Sequence, residues 1–254
     1  MILFSDNALT KDKSGNNKKT SNFTYKFYEK KGLFPTNLKP VFPKNFSCPD
    51  ISSPYGSKTR YDGSLRKNPH YGFHNGMDIT LKIGASLIAV ANGKIIHKGT
   101  AGRLVGNYIW LHSAPEDIGL KAHAFIRYQH LDEPSHLEVG EKVFVGDEIG
   151  KAGKTGTTGG HFGKKGYPHL HIMYTLSENS KFRIKGSQVR SKEYFYFDPM
   201  GIYIKNPEKK INNHTLRALS KKDKMVFVPV INKEGNIYPS NSKVIWPVVC
   251  TQKK

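Results

Sequence analysis

The chain has 254 residues, of which 40 are Lys or Arg and 20 are Asp or Glu, so its formal charge is +20. Hydrophobic residues make up 37% and aromatic residues 11%, enough to bury a core, which excludes a wholly disordered basic protein. The 24 Gly and 14 Pro are widely spread and no apolar run approaches ~20 residues, which argues against a helical bundle or a transmembrane protein. We therefore expect short strands joined by many turns.

The positive charge is concentrated at the two ends of the chain. Residues 1–45 carry +6, residues 46–175 carry +4 and residues 176–254 carry +10. Such lysine-rich flanks enrich a protein near polyanions, so anionic envelope polymers are candidate partners, with a merely solvated surface as the alternative. No Walker-type loop, zinc-finger spacing or RNP-like aromatic signature accompanies the lysines, so nothing specific supports nucleic-acid binding.

The N-terminus and the two cysteines bear on the compartment. Residues 1–4 are apolar, but the sequence turns polar at Ser5 and lacks the long apolar stretch of a secretory signal, so conventional export of this chain is not expected. Cys48 and Cys250 lie far apart with no neighbouring cysteine. Either a disulfide, suited to an oxidising compartment, or two free thiols fits this pattern.

In chain order, the composition predicts three parts. Residues 1–45 have no sustained period and are predicted to be a basic N-terminal arm, residues 46–205 a strand-rich domain, and residues 206–254 a basic C-terminal extension that could pack on the domain. The predicted fold is mainly β, with an antiparallel sheet or sandwich core. Candidate strands of the domain are residues 87–90, 94–97, 107–112, 124–130, 148–151 and 169–176, followed by a polar excursion over residues 177–195. In the extension, apolar residues 225–231 precede a candidate hairpin turn at 232–236.

Two histidine patterns are chemically informative. His74 and Asp78 are separated by Asn75-Gly76, which disfavours a helix, whereas a straight strand would hold residues four apart ~13 Å from each other. A turn or bulge at Gly76 would be needed to bring the pair to one ion.

The second pattern is the alternation around His169 and His171, which predicts a strand with both imidazoles on one face, roughly 6–7 Å apart. A third histidine, His130, ends another alternating stretch, which predicts that it shares a face with Tyr128.

Several motifs occur in a characteristic order over about residues 50–203. They are Ser53-Pro54-Tyr55-Gly56 with Arg60, His74-x-Gly76-x-Asp78-Ile79, Ala89-x-Ala91-x-Gly93-x-Ile95, Gly106-Asn107-Tyr108 with His112, Tyr128-x-His130-Leu131, Val145-Gly146-Asp147-x-Ile149-Gly150-x-x-Gly153-x-Thr155-Gly156, Pro168-His169-Leu170-His171 and Asp198-Pro199. In this order they resemble the lysostaphin/LytM-type zinc metallopeptidases, which cleave peptides of bacterial peptidoglycan.

The resemblance implies a LytM-like fold with a long substrate groove and one zinc ion bound by His74, Asp78 and His171. It also implies that His130 and His169 are the unligated catalytic pair, with their individual roles left open. The chemistry agrees, since three N/O ligands leave a fourth position for water, and zinc lowers the pKa of bound water to about 7.

The remaining histidines and two long loops receive weaker interpretations. His70 lies outside the motif and is expected at the surface or on the substrate side, while His112 and His161 are expected to be structural or to line the groove. Residues 113–123 and 157–167 are longer than in the family pattern, so both loops are expected to border the groove and reshape substrate selection.

The sequence thus predicts a zinc-dependent endopeptidase that hydrolyses peptide bonds in peptidoglycan cross-links or stems. The alternative is a non-enzymatic LytM-like protein that binds the wall or regulates an amidase, and a basic nucleic-acid-binding protein is a third reading. Action in the periplasm or cell wall is expected, as a growth enzyme, a phage protein or, as favoured here, an antibacterial effector. An effector would have secretion machinery and an immunity protein as partners.

Overall fold

The computed structural model describes residues 10–11, 17–18, 24–66, 70–157, 166–204 and 212–253. Within these ranges, no helix has the length and apolar character needed to cross a membrane. His161 lies outside them, so its expected role stays a prediction.

The described strands are short, as expected from the many turn residues. In chain order they are β1 (Thr10–Lys11), β2 (Asn17–Lys18), β3 (Lys39–Val41), β4 (Phe46–Ser47), β5 (Ile51–Ser53), β6 (Met77–Thr80), β7 (Ser86–Ile88), β8 (Gly93–Ala101), β9 (Gly106–Ser113), β10 (His123–Leu131), β11 (Lys142–Val143), β12 (Glu148–Lys151), β13 (His169–Ser177), β14 (Phe182–Lys185), β15 (Gln188–Ser191), β16 (Phe195–Phe197), β17 (Met225–Phe227), β18 (Val230–Ile231), β19 (Ile237–Tyr238) and β20 (Thr251–Gln252). The helices are α1 (Tyr25–Lys30), α2 (Pro115–Ile118) and α3 (Asn213–Arg217), with 3-10 turns at His70–Gly72 and Pro199–Tyr203.

An eight-stranded antiparallel sheet forms the body of the molecule. Its order is β11-β8-β9-β10-β13-β6-β5, and β16 pairs with β13 at one end of that strand. All six strands predicted for the domain are present, and the mainly β fold class is confirmed. The turn predicted at 232–236 is also present, between β18 and β19.

One face of the sheet packs on the main hydrophobic core. Tyr128 and Ile172 point into it, and they are fully buried together with Trp246 from the C-terminal segment. Side chains alternate between faces along a strand, so the neighbours of these residues on β10 and β13 point the other way. The apolar positions of the two central strands therefore fix which residues reach the opposite face.

The opposite face, called the groove face below, carries aromatic residues and is partly covered by the β14–β15 hairpin. Trp110 is fully buried there and donates through Nε1 to the carbonyl oxygen of Ser187 at 3.0 Å, in the hairpin turn. The sequence predicted a polar excursion over residues 177–195, whereas the structure forms a hairpin. Its first strand alternates apolar and charged residues but is exposed along its whole length, and the Trp110 hydrogen bond holds the hairpin turn on the sheet.

The segments at both ends of the chain lie side by side. Strand β3 pairs with β17 and β4 pairs with β20, and Cys48 forms a disulfide with Cys250. Of the two alternatives left open by the sequence, the structure therefore contains the disulfide. The division into residues 1–45, 46–205 and 206–254 stays a prediction, with the described contacts crossing both boundaries.

Candidate metal centre

Three side chains converge on one point at the edge of the groove face. His74 Nε2, Asp78 Oδ1 and His171 Nδ1 form a triangle with sides of 3.0 Å between the histidines, 3.1 Å from His74 to Asp78 and 2.9 Å from His171 to Asp78. All three residues are buried, with at most 7% of their surface exposed. These are the residues that the sequence assigned to a metal.

The local backbone explains how residues four apart meet. The chain bends at Asn75-Gly76 before β6 begins, and β6 pairs Asp78 directly with His171 on β13. The expected turn at Gly76 is therefore present. A Cβ at this position would lie 2.4 Å from the carbonyl oxygen of Ile172 and 2.8 Å from His171 Nε2, so glycine is required for close approach.

Hydrogen bonds orient the three side chains. His74 Nδ1 lies 3.1 Å from the carbonyl oxygen of Pro54, which can only accept, so Nδ1 carries the proton and Nε2 keeps its lone pair. The second oxygen of Asp78, Oδ2, accepts from an Arg66 guanidinium nitrogen at 3.1 Å. The same nitrogen donates to Ser53 Oγ at 2.9 Å.

The electrostatics keep the cluster ready to bind a cation. Burial lowers the pKa of His171 to about 3, so its imidazole is neutral at physiological pH. Burial alone would raise the pKa of Asp78, but His74, His169 and the hydrogen bond from His171 bring it well below its usual value. The cluster therefore offers an anionic oxygen of Asp78 and a neutral imidazole of His171.

This donor set fits a zinc ion. Zinc takes N and O ligands at about 2.0–2.2 Å in tetrahedral sites, which places neighbouring ligand atoms about 3.3 Å apart. The triangle of 2.9–3.1 Å is close to one face of such a tetrahedron. The residues present therefore match a catalytic site with three protein ligands and one open position.

His130 reaches the site by a route that the sequence did not predict. Alternation placed it on the face of Tyr128, but β10 has a bulge between Gln129 and Leu131, and His130 adopts a φ of 66°. The extra residue rotates the side chain out of the core-facing register. Its ring then lies 4.6 Å from that of His169, centre to centre.

His130 and His169 are held in the same way by backbone carbonyls. His130 Nδ1 lies 2.8 Å from the carbonyl oxygen of Thr155, and His169 Nδ1 lies 2.9 Å from that of Tyr167. Both Nδ1 atoms must donate, which leaves both Nε2 lone pairs free for chemistry. Burial lowers the pKa of each histidine, most strongly for His130, where His169 and His171 contribute further.

A cleft of about 430 Å³ runs over this centre. His130, His169 and the three candidate ligands line it, together with His70, which the sequence placed on the substrate side. Five arginines also line it: Arg60, Arg66, Arg103, Arg127 and Arg190.

The two long loops have different positions. Thr157 and Tyr167, which flank residues outside the description, line the cleft as expected for that loop. Residues 113–123 do not line the described cleft, so that expectation is wrong. Their loop joins β9 and β10 at the His112 end, whereas His130 lies at the opposite end of β10. His112 accordingly stacks on His123, away from the centre.

Sequence reasoning missed two arginines, Arg66 on Asp78 and Arg127 on β10. Arg66 lies in an irregular segment twelve residues before Asp78, and no spacing rule connects the two. Arg127 had a weak signal, since alternation with the apolar Ile126 and Tyr128 places a charge on the groove face of β10.

The buried His-Asp-His centre on the β sheet is compatible with a bound metal ion. Residues 72–182 match the model of Peptidase family M23. An "Uncharacterized metalloprotease" of Buchnera aphidicola subsp. Baizongia pistaciae (strain Bp) is 29% identical over 161 residues. That match covers 60% of this chain and spans 37% of the length of the relative.

Solved structures with similarity to this chain include three peptidases. The catalytic domain of lysostaphin from Staphylococcus simulans is 26% identical, covers 51% of this chain and 78% of that one, and has a TM-score of 0.37. LytU is 21% identical, with coverage of 63% and 88% and a TM-score of 0.41. A zinc-containing peptidase from Vibrio cholerae is 25% identical, with coverage of 67% and 41% and a TM-score of 0.38.

Proposed function

We propose that the protein is a zinc-dependent endopeptidase that hydrolyses peptide bonds in peptidoglycan cross-links or stems. The observation that carries the proposal is the triangle of His74 Nε2, Asp78 Oδ1 and His171 Nδ1 beside two histidines with free Nε2 atoms. The match of residues 72–182 to Peptidase family M23 and the resemblance to lysostaphin/LytM-type enzymes support the substrate class.

His74, Asp78 and His171 would hold the ion. When bound, zinc supplies Lewis acidity, which polarises a carbonyl oxygen and makes water acidic near neutral pH. Arg66 holds Asp78 Oδ2, so that Oδ1 stays directed at the two histidines. The carbonyl of Pro54 fixes the tautomer of His74.

His130 and His169 would move the protons. Both are neutral because burial lowers their pKa, so either Nε2 can accept a proton from the attacking water and pass it to the leaving amine. The protonated imidazole would then lie beside the oxyanion of the tetrahedral intermediate and stabilise it. The short distance between the two rings, 4.6 Å, allows both to contact one substrate carbonyl.

The test is digestion of purified peptidoglycan by the full chain loaded with zinc. We expect soluble fragments with new amine termini, and mass analysis of defined muropeptides identifies the severed bond. His171→Ala should abolish the release and the stoichiometric zinc content, whereas His136→Ala, at an exposed histidine outside the cleft, should leave both unchanged.

Activity that survives both His171→Ala and zinc removal would contradict the metal mechanism. Wall binding with bound zinc but no hydrolysis of any muropeptide would favour the non-enzymatic alternative.

We further propose that the enzyme acts outside the cytoplasm as an antibacterial effector. The Cys48–Cys250 disulfide supports action in an oxidising compartment. Expression directed to the periplasm should lyse cells, while cytoplasmic expression should be harmless. If periplasmic and cytoplasmic expression were equally harmless, the effector role would be wrong, while the proposed hydrolase chemistry would be unaffected.

A further inference from the structure

The groove contains a buried guanidinium without a counter-ion. Arg127 is only 4% exposed, yet it lines the cleft from the groove face of β10. Among the described residues, no Asp or Glu oxygen lies within 4.0 Å of its nitrogens. A buried charge without a partner carries a large desolvation penalty, so such a group is rarely retained without a role.

The described contacts of Arg127 use few of its hydrogen-bond donors. Nη1 donates to the carbonyl oxygen of Ser187 at a long 3.4 Å, and Nη2 lies 3.8 Å from Met173 Sδ. The guanidinium carbon lies 5.2 Å from the centre of the Trp110 ring, and Nε has no hydrogen-bond partner among the described residues. Since guanidinium has five donors in a fixed fork, most of them have no close acceptor among the described residues.

The surroundings of Arg127 favour an anion. Arg190, on the β14–β15 hairpin, lines the same cleft, and the charges of both arginines contribute, after burial, to lowering the pKa of His70 to about 4. His70 is therefore neutral and adds no further charge at physiological pH. Among the described residues that line the cleft, Asp78 is the single acidic one, and its oxygens are already engaged.

We propose that Arg127 and Arg190 form a subsite that binds a free carboxylate of the substrate peptide. The proposal rests on the proposed peptidase function and names its substrate class: a stem peptide that carries a free carboxylate about two residues from the scissile bond, rather than a neutral oligoglycine bridge. Paired guanidinium groups bind carboxylates by bidentate hydrogen bonds.

Strand register sets the distance of this subsite from the reaction. Gln129 is paired with His171, and Arg127 lies two residues before Gln129 on the same face. Two strand residues span roughly 6–7 Å, the length of about two residues of an extended peptide. The carboxylate is therefore expected about two residues from the bond that is cleaved.

The test compares two synthetic cross-linked stem peptides that differ in one group. In one the diamino acid carries a free carboxylate, and in the other the same group is a carboxamide. We expect the zinc-loaded full chain to cleave the carboxylate peptide with at least tenfold higher kcat/KM, and to bind it more tightly in calorimetry at low salt. Arg127→Gln should lower kcat/KM for the carboxylate peptide about tenfold or more and thereby remove the preference over the carboxamide peptide.

A second variant tests the subsite if Arg127→Gln does not fold, and a binding measurement tests it if neither peptide is cleaved. Arg190→Gln changes a half-buried side chain and should also erase the preference, even if Arg127→Gln unfolds. Arg103→Gln, at an exposed arginine of the same cleft, is the matched control and should retain the preference. Equal cleavage and binding of the two peptides by the unaltered chain would overturn the subsite while leaving the peptidase function intact. If neither peptide is cleaved, a preference in binding that Arg190→Gln removes still supports the subsite.

Discussion

The two carboxylate oxygens of Asp78 have different partners, and Arg66 is the partner of one of them. One oxygen accepts from Arg66 at 3.1 Å and the other faces His74 and His171. Asp78 is buried, so its orientation depends on these few contacts. A side chain from an irregular segment thus positions a ligand without itself contacting the ion.

Replacing this side chain should weaken metal binding. We expect Arg66→Gln to lower zinc affinity about 10–100-fold, since residues that orient metal ligands have effects of this size. Competition with a chromophoric chelator measures the affinity, and Arg103→Gln is the control for the loss of one charge in the cleft. Equal affinities of Arg66→Gln and the unaltered chain would show that Asp78 is oriented without Arg66.

The limits of sequence-based prediction are clearest at single residues. His74, Asp78 and His171 were assigned to one ion by resemblance, and the pairing of β6 with β13 brings Asp78 and His171 together. His130 was assigned to the site by resemblance, but its face was predicted wrongly, because one extra residue in a strand reverses the alternation. Arg66 and Arg127 depend on contacts between distant segments, which periodicity does not encode.

At the scale of secondary structure, Asp198 begins the 3-10 turn Pro199–Tyr203. Its Oδ1 accepts from the backbone amide of Met200 at 2.9 Å, and its Oδ2 accepts from the Thr36 hydroxyl. The side chain is nevertheless buried without a cation, and burial raises its pKa to about 6. The hydrogen bonds from Met200 and Thr36 favour the ionised carboxylate, but burial outweighs them and favours the protonated form in the folded state.

This raised pKa predicts a pH-dependent stability. In the folded state Asp198 holds its proton up to about pH 6, whereas in the unfolded chain it releases it near pH 3.8. The folded state binds more protons between these values, so the contribution of Asp198 to stability falls as pH rises, by about 2 kcal/mol between pH 4 and pH 7. Urea unfolding at several pH values measures it.

The matched comparison is with Asp198→Asn, which lacks the titrating group. As pH rises, the free energy of unfolding of the unaltered chain should fall relative to that of Asp198→Asn. Asp132→Asn, at an exposed aspartate, is the control for the removal of one carboxylate. Parallel pH profiles for the unaltered chain and Asp198→Asn would contradict the raised pKa.

At the scale of elements, regular strands were the most predictable part of the fold. The six domain strands follow from alternating apolar residues and flanking turn residues. The β14–β15 hairpin was missed, since its first strand is exposed along its whole length and carries no buried stripe. The hairpin supplies Arg190 to the cleft, so a segment without a buried apolar stripe contributes to the candidate site.

For the whole molecule, the disulfide joins segments from opposite ends of the chain. Cys48 and Cys250 are separated by 202 residues, and Trp246 near the second cysteine is fully buried in the main core. A cross-link over so long a loop removes much of the freedom of the unfolded chain. The sequence could not decide this pairing, because nothing local brings the two cysteines together.

Reduction should therefore destabilise the protein strongly. We expect dithiothreitol, or the double change Cys48→Ser and Cys250→Ser, to lower the free energy of unfolding by about 3–5 kcal/mol. Urea unfolding with and without reductant measures this loss, and the double variant should not respond to reductant. An unchanged midpoint after thiol titration has shown complete reduction would contradict a stabilising cross-link.

Because backbone carbonyls hold the histidines, the side chains at the carbonyl positions are free to vary. Pro54, Thr155 and Tyr167 each fix an imidazole through a main-chain oxygen, which every amino acid possesses. Replacing the side chains at these positions would preserve the acceptors as long as the backbone path is kept. Selection for new substrates could then change the walls of the cleft while the orientation of the three imidazoles is inherited unchanged.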